Sequence, residues 1–256
     1  MLAMKDGITN TLGMKFLPVK GTDVLFCIHE VRYQDYAAYA AEAPGVAMNW
    51  KNQSYGFTIT ERNEDHPVTQ VSWEDAQKFC AWLSQKEGKT YRLPTDEEWS
   101  IAVGLGRAEK RPKGTTPAML RGKENTEFPW GGDFPPKTKD KAGNYSDESR
   151  KAKAPNGAAQ YLEDYDDGFP TTAPVMSYKP NKLGLCDLGG NVWEWCDDWY
   201  NNGQIERVLR GGSWSSFERG ALLSSFRGLC TPTLRSGYHG FRVVVVPGSA
   251  PKSAAP

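Results

Sequence analysis

The residues of this chain best suited to chemistry are oxygen donors gathered in two short stretches. Asp187, Gly190, Val192 and Glu194 form the first, where two carboxylates bracket a glycine-containing loop whose carbonyls can turn inward. Asn144 and Tyr145 with Asp167 and Phe169 form the second, and Gly168 lets that loop bend sharply. Calcium takes roughly six to eight hard oxygen ligands from carboxylates and carbonyls at irregular spacings, so both stretches suit it. Both also read as solvated acidic turns. The run from Asp164 to Gly168 has a superficial likeness to an EF-hand, but its twelfth position is Val175 rather than a bidentate glutamate. A cage of hard ligands with no open position would brace loops rather than catalyse.

Other chemistries find less support. Cys27, Cys80, Cys186, Cys196 and Cys230 are widely spaced, form no C-x-x-C pair and read as buried free thiols. His29, His66 and His239 lie far apart and read as packing or surface residues. The chain has no nucleophile elbow, no phosphate-binding glycine loop and no H-E-x-x-H. Lys+Arg and Asp+Glu are equal at 31 each, so there is no general pull toward nucleic acid or an anionic membrane. No apolar run approaches the ~20 residues of a membrane-spanning helix. The N-terminal Met1 to Gly7 lacks an apolar signal core. The expectation is therefore a cytoplasmic protein, or a surface or secreted one if an export signal has been removed.

The elements that must position these residues are short. Met14 to Val19 and Val24 to Ile28 predict strands, and Tyr33 to Ala43 predicts a helix ended by Pro44-Gly45. Ser72 is a natural N-cap, with Asp75 three residues on and Ala76, Phe79, Cys80 and Leu83 at helical spacing until Gly88. Thr95 caps a further helix with Glu97 and Glu98 in its first turn and Trp99, Ala102 and Val103 on its buried side. Trp50 and Tyr55 read as anchors of an irregular stretch, and Arg107 to Lys113 as a solvated basic loop. The last residues, 247–256, read as a disordered tail. No internal repeat and no clean boundary divides the rest, so 1–246 reads as a single domain.

Taken in order, several segments give the chain a resemblance to the formylglycine-generating enzyme (sulfatase-modifying factor) family. They are His66-Pro67-Val68 with Val71-Ser72-Trp73, Tyr91-Arg92-Leu93-Pro94-Thr95 with Glu98-Trp99, and Phe128-Pro129-Trp130-Gly131. Gly190-Asn191-Val192-Trp193-Glu194-Trp195, Arg210-Gly211-Gly212-Ser213-Trp214 and Gly240-Phe241-Arg242 complete the set. The resemblance implies an α+β, C-type-lectin-like fold with little regular structure, a twisted antiparallel sheet, two main helices and loops held by calcium. It also implies that Tyr145, Phe169, Gly190 and Val192 give backbone oxygens to that calcium. The resembled enzyme holds copper with two cysteines, since soft thiolates select copper(I). The matching positions here are Ser216 and Ala221, which cannot serve as thiolates. A second branch of the family holds iron with histidines, which the scattered histidines here do not support. The chain is therefore expected not to be an enzyme, and neither copper nor iron is expected.

Between Trp214 and Gly240 the composition changes. From Arg219 to Gly240 there is no Lys, Glu, Gln, Met or Trp, and every residue is encoded by some codon reached from AAC or AAT by changing adenines alone. In this the segment is similar to the variable proteins of diversity-generating retroelements, which use the same fold. Aromatic and arginine anchors separated by Ser and Gly make a contact surface. Residues 215–239 are thus expected to bind an unknown protein or other macromolecular ligand, with the chain a monomer. The candidate contacts are Ser215, Ser216, Phe217, Arg219, Phe226, Leu229, Leu234, Tyr238 and His239, with Phe217, Leu229, Tyr238 and His239 expected to be the most exposed. Leu222 and Leu223 are expected in the core, and Arg227, Pro232 and Arg235 in the framework. Two other readings remain: a metal-dependent oxidase or sulfoxide synthase with an altered site, and a regulatory module of a larger protein.

Overall fold

A computed structural model describes residues 7–52, 64–154 and 160–248. Tyr55, the N-terminal Met1 to Asp6 and the tail from 249 onward lie outside the described residues. The chain opens with strands β1 (Ile8–Thr9), β2 (Lys15–Pro18) and β3 (Leu25–Cys27), followed by helix α1 (Tyr33–Glu42). Helix α2 (Trp73–Glu87), strand β4 (Thr90–Arg92) and helix α3 (Asp96–Val103) come next. Short helices α4 (Pro117–Leu120) and α5 (Glu148–Lys153) interrupt a long loop region. Strands β5 (Trp193–Trp199), β6 (Arg207–Arg210), β7 (Gly228–Cys230), β8 (His239–Gly240) and β9 (Val244–Val246) finish the fold.

The helix boundaries follow from local chemistry. Ser72 Oγ accepts the Asp75 N–H while Asp75 Oδ2 accepts the Ser72 N–H, a reciprocal cap that satisfies two otherwise orphaned donors. Thr95 and Glu98 make the same box at the start of α3. Gly88 ends α2 in the left-handed region at φ 64°. Along α2 the residues Ala76, Phe79, Cys80 and Leu83 are buried, as their helical spacing predicts.

Two curled sheets carry the strands, in the orders β1-β2-β3-β9-β4 and β7-β6-β5-β8. All pairings are antiparallel except β5 with β8, where Trp193 faces His239 and Glu194 faces Gly240. One core joins the first sheet to α1 and α2 through Phe16, Tyr36, Phe79, Trp195 and Phe241. A second lies under α3, with Trp99, Val208 and Val244. A third, with Phe128, Tyr145, Tyr165, Leu222 and Leu223, backs the loop region.

Tryptophans act as pegs between distant segments. Their N–H groups bond Trp73 to the Cys196 carbonyl, Trp195 to that of Val71 and Trp214 to that of Gly237, each at 3.1 Å. Buried ion pairs do the rest. Asp96 holds Arg210 and Arg227, and Arg111 joins it at 2.8 Å. The expectation of a solvated loop over 107–113 therefore fails at Arg111. Its guanidinium is drawn onto Asp96 and Glu109, because a buried carboxylate needs cationic partners. Among the described residues no helix is long and apolar enough to cross a membrane.

Candidate functional site

The loop from Asp187 to Glu194 turns about Asn191. Its side chain donates to Glu30 Oε2 at 2.7 Å and accepts the Ala173 N–H at 2.9 Å. Its own N–H reaches the Asn144 carbonyl, and its carbonyl takes the Trp214 N–H, both at 2.8 Å. Gly190 sits beside it at φ 84°, where a Cβ would lie 2.2 Å from the Asn144 carbonyl oxygen. Only glycine fits that approach. The two acidic stretches found in the sequence are therefore pressed together, the loop of one against the backbone of the other.

The carboxylates of the first stretch differ in their partners. Glu194, a candidate metal ligand from sequence, has both oxygens engaged: Arg242 donates to them at 2.6 and 2.7 Å, and the Trp99 indole donates at 2.9 Å. Its first role in the structure is thus a buried ion pair with Arg242, a partner that local spacing did not indicate. Asp187 accepts the Met176 N–H through Oδ2, while Oδ1 is buried without a partner. Burial pushes the Asp187 carboxyl up to about 6. Glu30, not singled out in the sequence, is fully buried and accepts from Asn191 and from the Val192 N–H. Burial, and then Asp187 and Glu194, push its carboxyl well above the usual range. Three buried carboxylates face one guanidinium, a surplus of negative charge that a hard cation would relieve.

In the second stretch Asp167 lies against the backbone of Tyr145 and Phe169, while the Asn144 side chain donates to the Thr171 carbonyl at 2.6 Å. Asp167 accepts the N–H groups of Tyr145 and Phe169, both at 2.8 Å. Its own N–H donates to Asp147 Oδ2 at 2.5 Å. Asp147 also accepts the Arg150 N–H, and neither carboxylate has an ion-pair partner among the described residues. Burial, and then Asp147, push the Asp167 carboxyl up to about 8. Asn144 Oδ1 is buried without a partner. Asp147 escaped the sequence reading, although its spacing from Asn144 could have flagged it. Among the described residues no group of three His, Cys, Asp or Glu is arranged for a metal, so a cation at either place would depend on backbone carbonyls. The orphaned oxygens and unpaired carboxylates fit calcium on those terms.

The histidines have separate surroundings. His29 Nδ1 lies 2.6 Å from the Glu30 carbonyl, and His66 Nδ1 lies 2.9 Å from Thr172 Oγ1. His239 packs edge-on against Trp195, with ring centroids 5.2 Å apart. All five cysteines are free and all but Cys230 are buried.

The segment 215–239 splits into floor and surface. Leu222, Leu223 and Arg227 are buried, as expected, and Arg235 is tied to Asp75 at 2.7 Å. Arg219, Leu234 and Tyr238 are exposed, and Ser215, Phe217, Phe226 and Leu229 are half-buried. Phe217 and Leu229, expected among the most exposed, are half-buried because Phe217 packs on the third core and Leu229 pairs with Val208 in the sheet. Two further candidate contacts are buried outright. His239 is 8% exposed because β8 runs beside β5 in the sheet, which turns its ring onto Trp195. Ser216 is 9% exposed because its hydroxyl accepts the Ser213 N–H and its carbonyl takes the Ser146 N–H. Residues outside the segment complete the surface. The Trp193 ring lies 5.8 Å from Phe226, the Arg121 guanidinium 4.4 Å from the same ring, and the Arg150 guanidinium 4.9 Å from Trp214.

Two curled sheets, few helices and loops that carry the polar clusters define an α+β scaffold of the formylglycine-generating-enzyme type. The chain belongs to the sulfatase-modifying factor enzyme 1-like family, whose domain model matches residues 18–246. It is 30% identical over 211 residues to a formylglycine-generating enzyme of Streptomyces coelicolor, covering 76% of this chain and 57% of that protein. It is 35% identical over 202 residues to the inactive C-alpha-formylglycine-generating enzyme 2 of Bos taurus, covering 78% and 50%. The chain thus spans about half the length of these relatives. The structure of Treponema denticola variable protein 1 superposes with a TM-score of 0.57 at 21% identity, covering 94% of each chain, a likeness of fold.

Proposed function

We propose that this chain is a non-catalytic ligand-binding protein that presents residues 215–239 on a calcium-braced scaffold. The observation that carries the reading is the pair Ser216 and Ala221, which occupy the positions where the resembled enzymes place copper thiolates. A hydroxyl and a methyl cannot replace two soft sulfur ligands. The surroundings support the same reading: aromatic and arginine side chains stand on a floor of buried leucines and ion-paired arginine. Such a floor keeps contact residues in place and lowers the ordering cost of binding. Calcium would be held by Asp187 with the Gly190 and Val192 carbonyls, and by Asn144 and Asp167 with the Tyr145 and Phe169 carbonyls. Glu30 and Asp147 would supply further charge, and Glu194 would act from its pair with Arg242. The ion's role would be to tie loops together beneath the surface.

The codon bias of 219–240 extends the proposal to diversification by a retroelement. The genomic neighbourhood tests that part: a near-repeat of the coding sequence, with adenines where this one varies, should lie beside a reverse-transcriptase gene. A neighbourhood without them would refute it. The relatives named as formylglycine-generating enzymes favour a second reading, an oxidase with an altered site. Stoichiometric copper or iron in the purified protein, with oxygen uptake on a thiol peptide, would establish that reading in place of the first.

A further inference from the structure

The arginines of the scaffold and those of the surface differ in their partners. Arg92, Arg210, Arg227 and Arg242 each hold a carboxylate. Arg207 is clamped between the rings of Trp73 and Trp199 and donates to the Asp197 carbonyl. Arg121, Arg150 and Arg219, which frame the segment 215–239, form no ion pair with any described residue. Instead each lies over an aromatic ring: Arg121 at 4.4 Å from Phe226, Arg150 at 4.9 Å from Trp214 and Arg219 at 5.3 Å from Phe128.

Arg150 is the most informative of the three. It is half-buried, its Nε is buried without a partner, and its one side-chain hydrogen bond runs to the Ser215 carbonyl at 3.2 Å. Asp147, close in sequence, spends its carboxylate on backbone N–H groups instead. Arg219 donates to the Asn125 carbonyl at 2.7 Å, and Arg121 lies 3.4 Å from the Tyr200 hydroxyl. A guanidinium stacked on a ring keeps its in-plane N–H edges for a planar anion, and carboxylate is the matching shape. A partly desolvated arginine with no anion of its own is a costly arrangement that an incoming carboxylate would relieve.

The spacing of charge decides between kinds of anion. Exposed Glu218 directly precedes Arg219, exposed Glu127 lies two residues from the Asn125 whose carbonyl Arg219 holds, and the chain is neutral overall. A nucleic-acid strand needs a continuous cationic track along its phosphates. Separate arginines among acidic residues suit separate carboxylates. We propose, on the basis of the ligand-binding reading above, that the surface recognises an acidic peptide segment of a protein partner, with Arg121, Arg150 and Arg219 as its carboxylate anchors.

The test uses short random peptides displayed on phage. They are selected on the full chain and on a variant carrying Arg121→Gln, Arg150→Gln and Arg219→Gln together. Peptides recovered by the parent should be several-fold richer in Asp and Glu than the starting library. Synthesised, they should bind the triple variant about tenfold more weakly, with affinity falling as salt rises. The three single variants give the same comparison if the triple variant unfolds. Recovered peptides that are lost on Tyr238→Ala but carry no acidic excess would overturn the acidic assignment and leave the ligand-binding reading standing. Peptides indifferent to every substitution in 215–239 would overturn both. Tighter binding of an oligothymidylate than of the selected acidic peptide would also overturn the assignment.

Discussion

Asparagine in place of Asp96 should be among the most damaging single changes in this chain. Asp96 is fully buried, and so are the two guanidiniums it holds, those of Arg210 and Arg227. Burial alone would raise its pKa, yet Arg210 and Arg227, with Arg111 beyond, hold the carboxyl well below the usual range. Arg210 has less support in return: burial outweighs Asp96 there and lowers its pKa. Removing Asp96 therefore strands Arg210 first, while Arg227 keeps Glu109. Breaking a buried pair from one side costs about 3–5 kcal/mol, and the surviving Glu109 contact places this case at about 3 kcal/mol. For a chain of this size each kcal/mol moves Tm by about 2–4 °C, so a fall of about 6–12 °C is expected. Thermal unfolding at neutral pH, followed by circular dichroism, measures it. A folded pKa below the unfolded value means stability that is present above about pH 4 and lost as the pH falls further, so the gap between parent and variant should narrow in acid. The double change Asp96→Asn with Arg210→Met removes the stranded charge and should recover part of the loss. A fall of less than about 2 °C for Asp96→Asn would refute the reasoning, since a carboxylate that matters so little cannot be holding two buried arginines.

Other outcomes follow from the same structure. Gly190→Ala places a Cβ 2.2 Å from the Asn144 carbonyl at φ 84°, and should cost about 3 kcal/mol or more, seen as lost soluble yield or a Tm lower by about 6 °C or more. Burial lowers the His239 pKa to about 4 from an unfolded value near 6.5, so stability should fall as pH drops through that window, by about 2 kcal/mol at pH 5. His239→Gln should flatten that part of the profile, and an unchanged slope would count against a buried neutral ring. Calcium at about a hundred times its dissociation constant should stabilise the fold by about 2.7 kcal/mol, a Tm rise of roughly 5–10 °C that chelator reverses. Asp167→Asn should remove part of that rise, and identical Tm values with calcium and with chelator would argue against calcium bracing.

Much of this fold is legible in local pattern. The caps at Ser72 and Thr95, the stop at Gly88 and the buried faces of α2 and α3 are set by side chains a few residues apart, so spacing alone revealed them. Leu222 and Leu223 were legible as floor because two adjacent leucines in a Ser- and Gly-rich stretch have few other uses. What stayed hidden depends on contacts between distant segments. Glu30 meets Asn191 across 161 positions, and Arg150 meets Trp214 through a loop that no periodicity describes. Arg111 looked like part of a solvated basic run, since nothing nearby shows that Asp96 is buried and in need of it. His239 and Ser216 looked available because their surroundings resemble a contact loop. Pairing of β8 with β5 turned His239 inward, and two hydrogen bonds closed over Ser216.

On the proposed reading the exposed and half-buried residues of 215–239 serve binding and the buried ones serve the fold. One library tests it directly. Phe217, Arg219, Phe226, Leu229, Leu234 and Tyr238 are randomised together within the residue types that adenine-directed change allows, and the variants are sorted for folding and for binding to unrelated proteins. Most variants should fold with Tm close to the parent, and the pool should yield binders to several of those proteins. A library that is mostly unfolded, or a folded one that yields no binders, would contradict it.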